Sequence, residues 1–417
     1  MNTVRRAAAL TAAVAVLGTG AAGQAAAAPS PTPSTGKLPA GLYGTKDPTY
    51  DGVWRQSLSF LAQRATGYQP ADQAVEWLLG QQCDDGAFPA YRADAAKPCD
   101  AKTMRDTNAT AAAVQALAAV RRQSAAPEKA DRAVKAGSDW LKSVQNKDGG
   151  WGYGAGGASD ANSTSVVVGA LAATGVRPVD FTSAEGRSPY DALLSFALPC
   201  TDEEGPGAFA YQPDKTGKLF ANADATAAGT LAGLGKSMVA TKASPEQAPT
   251  CTDLAKPTSE RAALNGASYL AKALAKTHHL VQPPMPGATD TTEQPDFGNT
   301  ADAVVALSAA GASKEAMPAL EWLEKNSAAW AKESGPAAYA QLILAARATE
   351  TDPRKFGSVD LVEQLNAAGP APKSPDTSAS ASSTADEEDS GFDLWWIIGI
   401  GTVVGVGIGF LLSGRKK

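Results

Sequence analysis

An all-α ring of alternating inner and outer helices, an α6/α6 toroid, is the fold this sequence predicts. Three observations predict it. A two-part helical unit recurs through the middle of the chain. Alanine and glycine are plentiful and aromatics make up only 6%, which favours closely packed helices over a β sandwich. The helix starts number twelve, so an alternating array can bring its last outer helix back to its first inner one.

The chain has 417 residues, 44% hydrophobic and 19% charged, enough apolar material for a large core. A net charge of −6 excludes nucleic acid as an expected partner.

The N-terminus reads as an export signal over residues 1–28. Arg5 and Arg6 form its charged start, residues 7–17 its short apolar stretch, and residues 25–28 a run of alanines suited to cleavage. A flexible Pro/Ser/Thr-rich linker follows at 29–44. The helical domain is expected over 45–368 and a disordered, acidic-ended stalk over 369–392. Residues 393–413 are apolar enough for one transmembrane helix. Trp395 and Trp396 sit at its outer edge, and the tail 414–417 carries Arg415, Lys416 and Lys417, which favour the cytoplasm. The expected location is therefore the cell membrane, single-pass, with the helical domain outside. Cys83, Cys99, Cys200 and Cys251 then form two disulfides. Nearest-neighbour pairing would pin two loops, and all three connectivities stay open.

The first half of the repeat is a helix ending in Trp-Leu, three residues, Gln, and a glycine turn with an aromatic. Trp77-Leu78 leads to Gln82, Gly86 and Phe88; Trp140-Leu141 leads to Gln145, Gly149 and Trp151. Gly207-Ala208-Phe209 is a degenerate copy, and Trp322-Leu323 lacks the turn. The tryptophans read as outer-helix packing and the glutamines as partners for turn backbone.

The second half is a polar pentapeptide that starts a small-residue helix. Its copies are Asp106-Thr107-Asn108-Ala109-Thr110, Asp160-Ala161-Asn162-Ser163-Thr164 and Asn222-Ala223-Asp224-Ala225-Thr226, with Gly298-Asn299-Thr300-Ala301-Asp302 as a weaker fourth. Asp, Asn and Thr at a helix start accept from its free N–H groups. Small residues follow at Ala111, Ser165, Ala227 and Ala303, and again at Ala116, Ala170, Ala232 and Ser308, as an inner ring requires. The twelve starts fall near Val53, Ala71, Asn108, Ala130, Thr164, Tyr190, Thr226, Ser259, Thr300, Lys314, Pro336 and Val359.

Residues 135–151 read Lys-Ala-x-x-x-Trp-Leu-x-x-x-Gln-x-x-x-Gly-Gly-Trp and resemble the QW motif of squalene and terpene cyclases. Over residues 51–367 the pattern resembles the α/α-toroid superfamily. Besides those cyclases (the prenyltransferase and squalene oxidase repeat proteins), it includes complement thioester domains and cobalamin carriers. The resemblance implies the fold and leaves the chemistry to the site. Class II cyclases place a general acid in an Asp-x-Asp-Asp-Thr-Ala motif. Asn222-Ala223-Asp224-Ala225-Thr226-Ala227 keeps Asp224 at that position but loses two of the acids, and Asn108 and Asn162 stand in the sister segments. Prenyltransferase zinc ligands are not expected from the adjacent His278 and His279, and the thioester tetrapeptide Cys-Gly-Glu-Gln is absent. Neither a metal nor a cofactor is expected.

The expected function is accordingly a non-catalytic surface binder of a small amphipathic, cobalamin-like ligand, serving uptake with a membrane transporter component. As in the carriers, polar residues at the inner-helix starts would hold the ligand: Asp106, Asn108, Asp160, Asn162, Asn222 and Asp224. Trp151, Tyr153, Phe209 and Tyr211 would flank it from neighbouring loops. The alternatives are an envelope protein-interaction module and a class II cyclase-like enzyme using Asp224.

Overall fold

The computed structural model describes residues 39–282 and 293–374. The expected signal, the linker as far as residue 38, the stalk from residue 375, the membrane span and the tail lie outside the described residues. Within them, no helix is long and apolar enough to cross a membrane.

The described residues are predominantly helical and carry thirteen α-helices: α1 Gly52–Ala65, α2 Asp72–Gly80, α3 Thr107–Val120, α4 Pro127–Ser143, α5 Ala161–Thr174, α6 Pro189–Ser195, α7 Ala223–Gly233, α8 Ser259–Leu274, α9 Phe297–Ala309, α10 Ser313–Asn326, α11 Ala328–Ser334, α12 Pro336–Ala348 and α13 Leu361–Ala367. The added element is the short α11, which Gly335, at φ 82°, separates from α12. Two two-residue strands, β1 Leu280–Val281 and β2 Pro295–Asp296, pair antiparallel ahead of α9.

Helices α1, α3, α5, α7, α9 and α12 pack in that order, each on the next and α12 back on α1. Around them α2, α4, α6, α8, α10 and α13 each lie against the inner helix of their own repeat. The two sets differ in sequence for a physical reason. An outer helix faces water, so α4 buries one stripe: Ala130, Ala133, Val134, Gly137, Trp140 and Leu141. An inner helix has neighbours on both sides and behind, so α3 buries most of its circumference with alanine, threonine and valine. The small residues Ala111, Ser165, Ala227, Ala303, Ala116, Ala170, Ala232 and Ser308 are all buried, allowing inner backbones to approach.

The glycine turns fix outer helices to one another. Gly86 and Gly149 have φ of 93° and 92°, where side chains are strained. A Cβ on Gly149 would sit 2.2 Å from the Ser188 carbonyl oxygen, and one on Gly86 2.2 Å from that of Ala136. Gln82 Nε2 donates to the Gly86 and Ala133 carbonyls (2.9 Å each), and Gln145 Nε2 to Gly149 and Phe181 (2.8 and 3.1 Å). The repeated glutamine thus ties each turn to the next segment.

A second repeated device ties that turn to the inner helix. Thr110, Thr164, Thr226 and Thr300 are all fully buried. Their Oγ1 atoms accept from the backbone N–H of Phe88, Trp151, Phe209 and Leu280 at 2.8, 3.1, 2.9 and 2.9 Å. This corrects the fourth copy's register. Its threonine is Thr300 and its cap Asp296, which accepts from Asn299 N at 3.0 Å, so the true copy is Asp296-Phe297-Gly298-Asn299-Thr300.

The ring closes at a seam beside α1. Tyr43, fully buried, donates its hydroxyl to the Pro370 carbonyl (2.7 Å) and accepts from Gln63 Nε2 (2.9 Å). Gly44 N donates to the Ala368 carbonyl (2.8 Å), and Gln69 bridges to Lys373. The disulfides are Cys83–Cys99 and Cys200–Cys251, the nearest-neighbour pairing, and fit an oxidising compartment.

Candidate active site

All six inner helices begin at one end of the ring, and the polar groups of the repeat gather there. The expected ligand residues divide into three groups. Asp106, Asp160 and Asn222 are N-caps: their side chains accept from Ala109 N (2.9 Å), Ser163 N (2.6 Å) and Ala225 N (2.8 Å). Trp151 and Phe209 are each 1% exposed. Trp151 donates Nε1 to the Leu141 carbonyl (2.7 Å), and Phe209 lies under Gly229 and Gly266, so both are core rather than rim. Tyr153 and Tyr211 do stand at the rim, but their hydroxyls are engaged with the Asp106 and Asp160 carboxylates. Burial, with those acids beside it, pushes the Tyr211 hydroxyl up to about 12 and Tyr153 higher still.

Asn108, Asn162 and Asp224 form the third group. Each stands two residues past its cap and is half-buried. Asn162 Nδ2 donates to Asp224 Oδ2 at 2.6 Å. The Asn108 and Asn162 Oδ1 atoms are buried and have no hydrogen-bond partner. Gly298 holds the equivalent place on α9. Four residues on, the same face carries Ala112 on α3, Val166 on α5, Ala228 on α7 and Asp302 on α9. Asp302 is therefore one turn deeper than Asp224, under a position with no side chain. Gln341 of α12 donates Nε2 to Asp302 Oδ2 at 3.2 Å.

Asp224 and Asp302 are enclosed by protein on nearly all sides yet keep some solvent-accessible surface, as groups on the wall of a concavity do. Burial pushes Asp302 up to about 7, helped by the charges of Asp224 and Asp296 and opposed by the Gln341 donor. Burial also raises Asp224, against the Asn162 donor. Two carboxyl groups thus share one mouth, and the deeper one holds its proton into the neutral range.

Beside them is an aromatic wall. Phe297 stacks on Trp330 and Trp322 (centroids 5.4 and 5.2 Å), and Trp322 on His279 (4.3 Å). The wall reaches Gly298, whose added Cβ would lie 3.8 Å from Trp330. Asp302, Gln341 and Trp330 lie outside the expected site because the sequence pattern sets α9 two residues out of register, and neither α11, which carries Trp330, nor α12 has a motif. Aligning on the threonine would have put Asp302 in the bore.

Two cavities, of about 150 and 410 Å³, lie elsewhere, around Leu198 and Pro199 near the Cys200–Cys251 bridge. Neither is lined by Asp106, Asp160 or Asp224. Among the described residues no group of three or more His, Cys, Asp or Glu is placed to hold a metal ion.

No family model matches the chain, and no curated protein does. Among solved structures it is similar to a wild-type glycosidase at 13% identity, with 74% of this chain and 90% of that chain covered and a TM-score of 0.44. A sugar epimerase from a ruminal bacterium is similar at 14% identity, covering 69% and 80%, with a TM-score of 0.39. A protein from Actinoplanes is similar at 16% identity, covering 70% and 100%, with a TM-score of 0.32. Two of these structures are named for an activity, glycosidase and sugar epimerase. The expectation of a non-catalytic carrier is corrected at its own site. Five of the residues assigned to the ligand serve instead as caps or core.

Proposed function

We propose that this ring is an α/α-toroid enzyme performing acid–base chemistry on a small hydroxyl-rich substrate of the carbohydrate type, with Asp302 as proton donor and Asp224 as its ionised partner. The observation that carries the reading is the pair itself: two enclosed carboxyls in one solvent-reached mouth, Asp302 raised to about 7 and Asp224 given a 2.6 Å donor by Asn162. Asp224 ionises first because Asn162 stabilises its charge, and that charge then holds the proton on Asp302. In acetal cleavage, Asp302 gives its proton to the departing oxygen while Asp224 accepts one from the attacking water or hydroxyl. The Phe297–Trp330 wall takes an apolar ring face.

The test is turnover by the purified full-length chain of a panel of aryl glycosides and free disaccharides. Asp302→Asn is expected to cost about 100-fold or more. Activity should fall as pH rises through 7, because the donor is then deprotonated. A chain that turns over nothing on the panel, or whose turnover Asp302→Asn leaves intact, sinks the reading.

A further inference from the structure

The end of the ring opposite the mouth is crossed by the chain between α7 and α8. Leaving α7, Met238 N donates to Gln115 Oε1 of α3 at 3.1 Å. The segment then reaches α9, where Ala243 N donates to the Ser308 carbonyl (3.0 Å) and Gln247 N to that of Gly311 (2.9 Å). Between these anchors, Met238 and Val239 pack against the core clusters of both halves of the ring, and Ala240 is buried. Gln115 is itself fully buried and pinned, donating Nε2 to the Val166 carbonyl at 3.1 Å. Gly169 makes room for it, since a Cβ there would lie 2.9 Å from Gln115 Nε2. A segment bonded to α3 and α9, which are not neighbours in the ring, has to pass over the bore between them.

The geometry points to a blind cup: guests enter only past Asn108, Asn162, Asp224 and Gly298, and the 236–247 segment is its floor. From Asn108 to Gln115 is seven residues of helix, a depth of ~10 Å. Such a cup admits a small molecule or the end of a chain, one or two rings deep, and rejects an internal stretch of polymer. The catalytic reading above supplies only the chemical class of guest; the single entrance rests on the floor alone. With both in force, the enzyme acts on chain ends and short saccharides.

A thiol inside the cup tests the entrance without any turnover. All four native cysteines are in disulfides, so Ala228→Cys, on the bore face one turn below Asp224, introduces a single reactive group. In the full-length chain it is labelled with a small charged methanethiosulfonate, with and without Gly298→Trp at the mouth. That site accepts a side chain, since the nearest atom to an added Cβ is 3.5 Å away. With one entrance, the plug slows labelling by about tenfold or more, to the rate of local opening. An unchanged rate means a second way in and overturns the proposal. Ala337→Trp, one turn above Gln341 on α12, repeats the plug from another helix should the first variant melt. Labelling is read on Asp302→Asn as well, so loss of the catalytic reading leaves this result standing.

Discussion

The three regular repeats and the fourth behave differently, and the difference locates the chemistry. In α3, α5 and α7 the cap, the buried threonine and the small residues recur in the same places. The position two past the cap is polar in each: Asn108, Asn162, Asp224. In α9 the cap and threonine persist as Asp296 and Thr300, but the mouth position is Gly298 and an acid appears one turn deeper at Asp302. Whatever recurs builds the ring, and the candidate donor lies where recurrence stops.

That contrast is broken most severely at the scaffold. Gly149→Ala forces a Cβ to within 2.2 Å of the Ser188 carbonyl at φ 92°. Thermal unfolding should show a loss of about 3 kcal/mol or more, or no folded protein. A variant of unchanged melting temperature would mean that the turn moves freely. Thr226→Ala removes an acceptor for Phe209 N and leaves that buried N–H without a partner. The expected cost is about 1–3 kcal/mol by urea unfolding, and the equivalent Thr164→Ala should match it if the copies are interchangeable.

At the site the sign reverses. Asp302 is held near 7 in the fold and near the ordinary carboxylate value when unfolded, so the native state binds the extra proton. Its contribution is therefore full below about pH 4 and is lost as pH rises to 7. Asp302→Asn should stabilise the fold at pH 8 by on the order of 4 kcal/mol, read as a higher melting temperature, and change it little at pH 4. A variant destabilised equally at both values would make Asp302 a structural residue.

How far the sequence reveals this molecule follows the same division. Helix order, glycine turns and caps are legible because each is local and repeated; the disulfide pairing is not, since four cysteines leave three connectivities open and the Cys200–Cys251 bridge spans 51 residues. The α9 register is not, since Gly298-Asn299-Thr300-Ala301-Asp302 imitates the motif two residues late and the Thr300–Leu280 and Asp296–Asn299 bonds discriminate. Trp151 and Phe209 read as rim residues because they sit beside polar loops, although each folds back under its own helix pair. The partnership of Asp302 with Gln341 joins positions thirty-nine apart and has no sequence signature.

The seam at Tyr43 carries one more consequence. Residues 41–44 and 366–373 meet side by side on α1, so the domain's first and last described segments are already near neighbours in space. The order in which the helices are strung is then incidental to their arrangement. A gene rearranged so that a short bridge joins these segments, with fresh termini cut at Gly156, where an added Cβ meets nothing, should yield the same circle.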